Sequence, residues 1–271
     1  MPELPEVETT VRGLRPVLEG EVLTRVEPRR DDLRRAFPAD LRQRLTGARV
    51  TGLRRRAKYG VIDTDRDDSL IFHLGMSGRW RVDPTELLPH DHLVLATGAG
   101  RVLALNDPRR FGSVDLLPTA EIADFPAFRL LGPEPLGADF TAEHLRLALA
   151  GRRLSIKLAL LDQRIVAGLG NIYVCEALYD ARIDPHTPAG SLDAPALARL
   201  VPAVQLVLEA AIKAGGSTLR DYARPDGDLG YFSKQFAVYG RAGEPCACGG
   251  TVERYAEGGR STFWCPRCQR S

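Results

Sequence analysis

Four of the five cysteines, Cys246, Cys248, Cys265 and Cys268, fall within the last 26 residues, in "CACGGTVERYAEGGRSTFWCPRC". A fold that uses them must carry two cysteine pairs to one point. The N-terminus lacks a basic-then-apolar secretory signal, and in such a chain paired cysteines read as metal ligands before disulfides. Tetrahedral zinc takes four thiolates from the paired ends of a hairpin, here one turning at Gly258-Gly259. Four thiolates leave no open coordination position, so the pattern predicts one structural Zn²⁺ rather than a catalytic one. Arg260 follows the turn at the end opposite the ligands. Residues 241–271 hold five Arg and three Glu, and a tetrathiolate zinc centre cancels the excess. Any role for Arg260 is therefore local.

The opposite end, "MPELPEV", asks for another explanation. Pro5 presets the first turn of a helix, Glu6 and Glu8 suit its positive end, and Val7, Val11, Leu14 and Leu18 recur at helical spacing. A helix over residues 5–18 follows. Pro2 and Glu3 are left over. Removal of Met1 leaves Pro2 with a free secondary amine, and α-amino groups titrate near ~8. That makes Pro2 a candidate nucleophile and Glu3 a candidate acid.

Between these ends lie two stretches of different character. Residues 20–117 read as short strands broken by Gly, Asp and Pro, with a hairpin near Gly98–Gly100, which predicts a β-sandwich or barrel after one helix. "LLGPEPLGADF" at 130–140 marks a boundary. Helical segments follow it: "TAEHLRLALA", "SIKLALLDQ", "NIYVCEALYDA" and "DAPALARLVPAVQLVLEAAIKAGG", the last expected to start or kink at Pro202. No apolar run is read as approaching ~20 residues, so the expected compartment is cytoplasmic. A net charge of +2 does not by itself indicate nucleic acid, but "LRRRAK", "DPRRF" and "GRRLSIK" are local basic clusters.

Several side chains in these stretches could carry chemistry. The glycines of "GLGNIY" precede a helix start, where free N–H groups suit a phosphate, although a tight interhelical turn uses the same residues. Lys58 and His73 lie on or near strands. Met76 stands between glycines in "LGMSG", and Arg109 and Phe111 lie in the proline-initiated turn "NDPRRFG". Loop residues of this kind suit insertion into a base stack or anchoring of the loop itself.

Taken together and in order, "PELPEVET", "RRAKYG", "HLGMSG", "DPRRFG", "LGPEPL", "GLGNIY" and "VYGRAGEPC…GGRSTFWCPRC" resemble the bacterial formamidopyrimidine-DNA glycosylases, which remove 8-oxoguanine. The resemblance spans essentially the whole chain. It implies an α+β multidomain fold: an N-terminal helix and β-sandwich (1–132), a helix–two-turn–helix domain with a lesion-capping loop (133–235) and a zinc finger (236–271). It implies that Pro2 attacks the sugar C1′, with Glu3 as acid–base residue. Lys58 corresponds to the proton donor and Arg260 to the finger arginine that grips phosphates and assists δ-elimination. His73 and Asn171 carry over as phosphate contacts, while His90, Arg109 and Arg152 correspond to DNA-binding positions. Lys157 corresponds to a lysine near the lesion. Met76, Arg109 and Phe111 correspond to the side chains that fill the gap left by the flipped nucleotide, and 215–235 to the loop closing over the base. The partner implied is duplex DNA containing oxidised bases, bound by a monomer without a membrane, in the bacterial cytoplasm at the nucleoid.

One departure stands out. The family's first cysteine pair is C-x2-C, whereas Cys246-Ala247-Cys248 is one residue shorter, which predicts fewer backbone N–H groups around the sulfurs. Retention of Met1 would block the nucleophile. The alternatives are an endonuclease VIII-like enzyme for oxidised pyrimidines and a non-catalytic damage-binding relative. "PELPEVET" and the long 215–235 segment favour the purine enzyme, and the joint presence of Pro2, Glu3, Lys58 and Arg260 favours catalysis.

Overall fold

A computed structural model describes residues 1–217, 224, 225 and 227–270. Positions 218–223 and 226 of the expected capping loop lie outside the described residues. The chain divides into two compact units, Met1–Arg129 with Ala214–Ser233, and Leu130–Lys213 with Lys234–Ser271.

The first unit opens with helix α1 (Leu4–Leu18), one residue earlier than the periodicity predicts, with Glu3 at its N-cap. Val7, Val11, Leu14 and Leu18 form its buried face. Two four-stranded antiparallel sheets follow. One has the order β1 (Leu23–Pro28), β6 (Asp91–Thr97), β7 (Val102–Asn106), β5 (Arg79–Val82). The other runs β2 (Val50–Arg56), β3 (Tyr59–Thr64), β4 (Asp68–His73), β8 (Ser113–Pro118). A short helix, α2 (Leu41–Leu45), lies against β1. Both sheets feed one apolar cluster with α1, in which Trp80 of β5 meets Phe72 of β4 edge-on at 5.6 Å. Alternate residues of the strands, such as Leu93 and Leu95 of β6 and Leu103 and Leu105 of β7, enter this cluster, which places the core between the two sheets.

The second unit is helical, with α3 (Ala142–Leu149), α4 (Ile156–Leu161), α5 (Asn171–Asp180) and α6 (Ala194–Lys213). Thr141 and Ser155 cap α3 and α4, their hydroxyls accepting from His144 and Leu158 N–H groups, which satisfies helix-start donors. Pro202 does not start α6, which begins at Ala194 and continues through it. The proline removes the hydrogen bond that Ala198 C=O would accept and crowds that carbonyl, and the buried face of α6 packed on α3 and α5 offsets that cost. By length and composition α6 is also apolar enough to cross a membrane, at mean hydropathy 1.5 over its best window. The antiparallel pair β9 (Glu253–Glu257) and β10 (Arg260–Trp264) forms the expected hairpin.

Candidate active site and nucleic-acid interface

Pro2 and Glu3 are buried at the start of α1, beneath an exposed Met1. Glu3 and Glu6 form a capping box: the Glu3 side chain accepts from the Glu6 N–H, and Glu6 Oε2 accepts from the Glu3 N–H at 2.8 Å. The spacing Glu-x-x-Glu performs here what Ser-x-x-Glu does in other helices. The other Glu6 oxygen accepts the Ser217 N–H, also at 2.8 Å. One buried carboxylate thus ties the residue after the candidate nucleophile to the root of segment 214–233. That segment has a second anchor in the same unit, where Pro225 C=O accepts from Val82 N–H at 2.9 Å on the edge of β5.

Lys58 is buried in the two-residue turn joining β2 to β3. Ala57 beside it adopts φ 51°, a left-handed conformation uncommon for a residue with a Cβ. Arg55 secures this turn: its Nε donates to Glu8 of α1 at 3.0 Å and its Nη1 to the Ala57 carbonyl at 2.9 Å. Directly across the sheet, His73 pairs with Tyr59, the rings 4.7 Å apart. Burial lowers the His73 pKa to about 4, reinforced by the charges of Lys58, Arg34 and Arg35. Its Nδ1 accepts the Gly75 N–H at 3.1 Å. The neutral ring therefore carries its proton on Nε2, as a hydrogen-bond donor.

Met76, Arg109 and Phe111 occupy two loops that the structure brings together. A Cβ on Gly75 would lie 2.3 Å from the Phe111 backbone, so only glycine permits this approach. Buried Asp107 fastens the pair, one carboxylate oxygen accepting from Ser77 Oγ at 2.6 Å and the other from Gly112 N–H at 2.8 Å. Above this polar knot Met76 and Phe111 stay exposed, at 37% and 45%, and the Arg109 guanidinium lies 4.8 Å from the Phe111 ring centre. Exposed apolar side chains on so tightly fastened a base are not anchoring their own loops. Exposed His90 lies alongside, its carbonyl accepting from Asp107 N–H.

In the second unit, Asn171 is the first residue of α5, and its Nδ2 donates to Ser261 C=O of β10 at 2.8 Å. The GLGN turn therefore serves as a seat for the hairpin as well as a helix start. Gly258 and Gly259, at φ 56° and 73°, give the paired positive φ of a tight hairpin turn. The tip rests on α4, where a Cβ on Gly258 would lie 2.7 Å from Leu158. Arg260 opens β10 and is exposed to solvent. Arg152 is half-buried, its Nε donating to Ala148 C=O at the end of α3. Lys157 is wholly buried, and its Nζ has no hydrogen-bond partner among the described residues. Its pKa is lowered, chiefly by burial.

The four tail cysteines converge, their sulfurs all within 4.8 Å of one another. Cys246–Cys268 and Cys248–Cys265 are 3.6 Å apart, against about 3.8 Å for the edge of a tetrahedron with 2.3 Å Zn–S bonds. This donor set fits one structural zinc. The shortened pair still finds hydrogen-bond partners: Gly250 N–H donates to Cys248 Sγ at 3.4 Å, and the Tyr179 hydroxyl of α5 lies 3.3 Å from Cys246 Sγ. Cys175 stands outside the cluster.

Residues 1–114 match the family model of the formamidopyrimidine-DNA glycosylase N-terminal domain, 131–223 that of its H2TH domain, and 243–270 that of the zinc finger found in FPG and IleRS. A formamidopyrimidine-DNA glycosylase of Rhizorhabdus wittichii is 68% identical over 270 residues, covering the whole of both chains. The chain belongs to the formamidopyrimidine-DNA glycosylase family. Its fold is also close to solved members. The MutM (Fpg) protein of Thermus thermophilus superposes with a TM-score of 0.89 at 42% identity, over 99% of this chain and 98% of that one. A Lactococcus lactis Fpg variant in complex with Fapy-dG-containing DNA gives 0.92 at 34% identity over the whole of both chains.

For a member of this family, four positions matter that sequence reasoning misses as functional parts. Glu6 and Asp107 are buried carboxylates aimed at backbone N–H groups, and Arg55 ties α1 to the Lys58 turn. Glu176 of α5 accepts from the N–H groups of Ala237, Val238 and Tyr239 at 2.8–3.0 Å, fixing the chain that enters the finger. Only Glu6 carries a sequence signal for its role, its spacing from Glu3.

Proposed function

We propose that this chain is a bifunctional DNA repair glycosylase and AP lyase that excises oxidised purines, 8-oxoguanine and formamidopyrimidines, from duplex DNA. The observation that carries the reading is the α1 N-terminus, where Pro2 is followed by a buried, capped Glu3 in the same unit as buried Lys58. Once Met1 is removed, the Pro2 nitrogen bonds to C1′ as the bond from C1′ to the base breaks, with a proton passing to the departing base. Lys58 suits that donation and Glu3 the accompanying acid–base work. Opening of the sugar follows: the C1′–O4′ bond breaks, O4′ takes up a proton, and C1′ is left double-bonded to the secondary amine as a cationic iminium that acts as an electron sink. Loss of a C2′ proton then expels the 3′ phosphate, and δ-elimination assisted by Arg260 expels the 5′ phosphate.

The damaged nucleotide must leave the stack before C1′ can be reached. Met76, Arg109 and Phe111 fill the void, and Arg109 faces the orphaned cytosine, whose acceptors suit a guanidinium. His73, as a neutral Nε2–H donor, contacts phosphate, as do Asn171 and Arg260, while His90 and Arg152 add DNA contacts. Lys157 lies too deep to touch DNA as it stands, and we infer that it acts through its neighbour Arg260. The division of labour is an N-terminal catalytic region to about residue 132, a helical region to 235 whose segment 214–233 packs with the N-terminal unit, and the zinc finger beyond. The enzyme works as a monomer on chromosomal DNA in the cytoplasm.

Borohydride trapping tests the reading. A duplex carrying 8-oxoguanine opposite cytosine should give a covalent adduct whose cross-linked peptide begins at Pro2, and Pro2→Gly should abolish it. Preferential trapping on an oxidised pyrimidine would favour the endonuclease VIII-like alternative. An adduct on Lys58 would overturn the assignment of the nucleophile.

A further inference from the structure

Loop 29–36 carries four arginines beside the candidate site, and three are occupied. Arg29 Nη1 donates to the carbonyls of Leu88 and Asp91, Arg30 pairs with Asp32, and Arg35 pairs with Asp115 and also donates to Ser113. Arg34 is different. It is exposed, and among the described residues its guanidinium has no hydrogen-bond or carboxylate partner. Its backbone is nonetheless fixed. An Asp32–Ala36 bridge closes a three-residue turn with Arg34 at the tip, buried Leu33 pins the turn to the sandwich core, and Arg34 N–H donates to Gly112 C=O at 3.0 Å. Gly112 in turn packs on the His73 backbone, where an added Cβ would lie 2.8 Å from the His73 carbonyl.

A guanidinium without a partner among the described residues, on a tip whose backbone is tied through Gly112 to the strand end that carries a neutral imidazole donor, is organised to receive an anion. Arg34 is near enough for its charge to help lower the His73 pKa. Three carboxylates of this region are already engaged, Asp115 by Arg35, Asp32 by Arg30, and Asp107 by Ser77 and Gly112. Exposed Asp31 in the same loop makes no ion pair with Arg34 among the described residues. Guanidinium binds phosphate oxygens in bidentate fashion, and a fixed backbone reduces the entropy lost on binding. We propose that Arg34 binds a backbone phosphate of the DNA, forming with His73 a two-donor phosphate clamp beside the void-filling loops. This rests on the DNA-binding reading above.

The salt dependence of duplex binding tests it. A phosphate contact releases counterions, so its loss should lower the slope of log K against log[salt] by about 0.9. The affinity advantage of the unmodified enzyme over Arg34→Gln should therefore shrink about 3.5-fold between 50 and 200 mM salt. Arg34→Lys, which keeps the charge, should retain the slope, and the thermal midpoint of both variants should be unchanged. An unaltered slope in Arg34→Gln, with or without a loss of affinity, overturns the proposal. Binding and trapping by the unmodified enzyme on the 8-oxoguanine duplex are measured alongside. Failure there counts against the glycosylase reading, whereas failure confined to Arg34→Gln counts against the clamp alone.

Discussion

Two tight hairpin turns each place a basic residue, and they do so in opposite ways. The Ala57-Lys58 turn belongs to a four-stranded sheet covered by α1, and Lys58 is buried. The Gly258-Gly259 turn closes a two-stranded hairpin, and Arg260 is exposed. An isolated two-stranded hairpin is marginal in water, so the second needs its metal and its seat on Leu158, while the first needs neither. The contrast suits the roles proposed for the two residues. A proton donor benefits from a shielded, fixed position, whereas a phosphate grip has to meet its ligand in solvent.

The sharpest way to break the comparison is Lys58→Ala. Loss of a positioned proton donor should slow base release by about 10²–10⁴-fold in single-turnover cleavage of the 8-oxoguanine duplex, with bound zinc unchanged. A loss below about tenfold would remove the reason for burying Lys58.

Next in size is the metal. Zinc should be present at one per chain, and Cys248→Ser or chelation should weaken DNA binding more than about tenfold by unfolding the finger. The two tryptophans separate the regions, Trp80 lying in the sandwich and Trp264 in β10. Zinc removal should change Trp264 emission and leave Trp80 emission, read in Trp264→Phe, as it was. Full DNA affinity in zinc-free Cys248→Ser would show that the finger hairpin stands without its metal.

The smallest effects lie in the turns themselves. Gly258→Ala combines a positive φ with a contact at 2.7 Å to Leu158 and should cost about 1–3 kcal/mol of stability. Ala57→Gly relieves a left-handed alanine and should be neutral or stabilising by up to about 1 kcal/mol. Thermal denaturation of the two variants reads both, and equal losses would mean that backbone conformation is not what distinguishes the turns.

Legibility in the sequence follows the same division. Helix α1, the strands, the finger hairpin and its four ligands are readable because periodicity and cysteine spacing are local signals. Pro202 does not mark the start of α6 because tertiary packing carries the helix through the proline. The placement of the site is less readable. Asp107 and Glu176 act on backbone groups, whose positions no side-chain pattern records. The isolation of Arg34 depends on which of its neighbours are already paired, and that is settled only by folding. Lys157 illustrates the limit, since a resemblance can place a lysine near a lesion without indicating that it lies buried.

The Glu6 carboxylate makes the N-terminus and segment 214–233 interlocked parts rather than modules. Exchanging or trimming that segment so that Ser217 shifts would strip a donor from a buried carboxylate, a loss of about 1–3 kcal/mol. The disturbance would be felt one hydrogen bond away, at the Glu3 amide that follows the proposed nucleophile. Grafts that aim to alter lesion choice therefore have to carry Ser217 and its backbone geometry with them, or they will retune the chemistry along with the specificity.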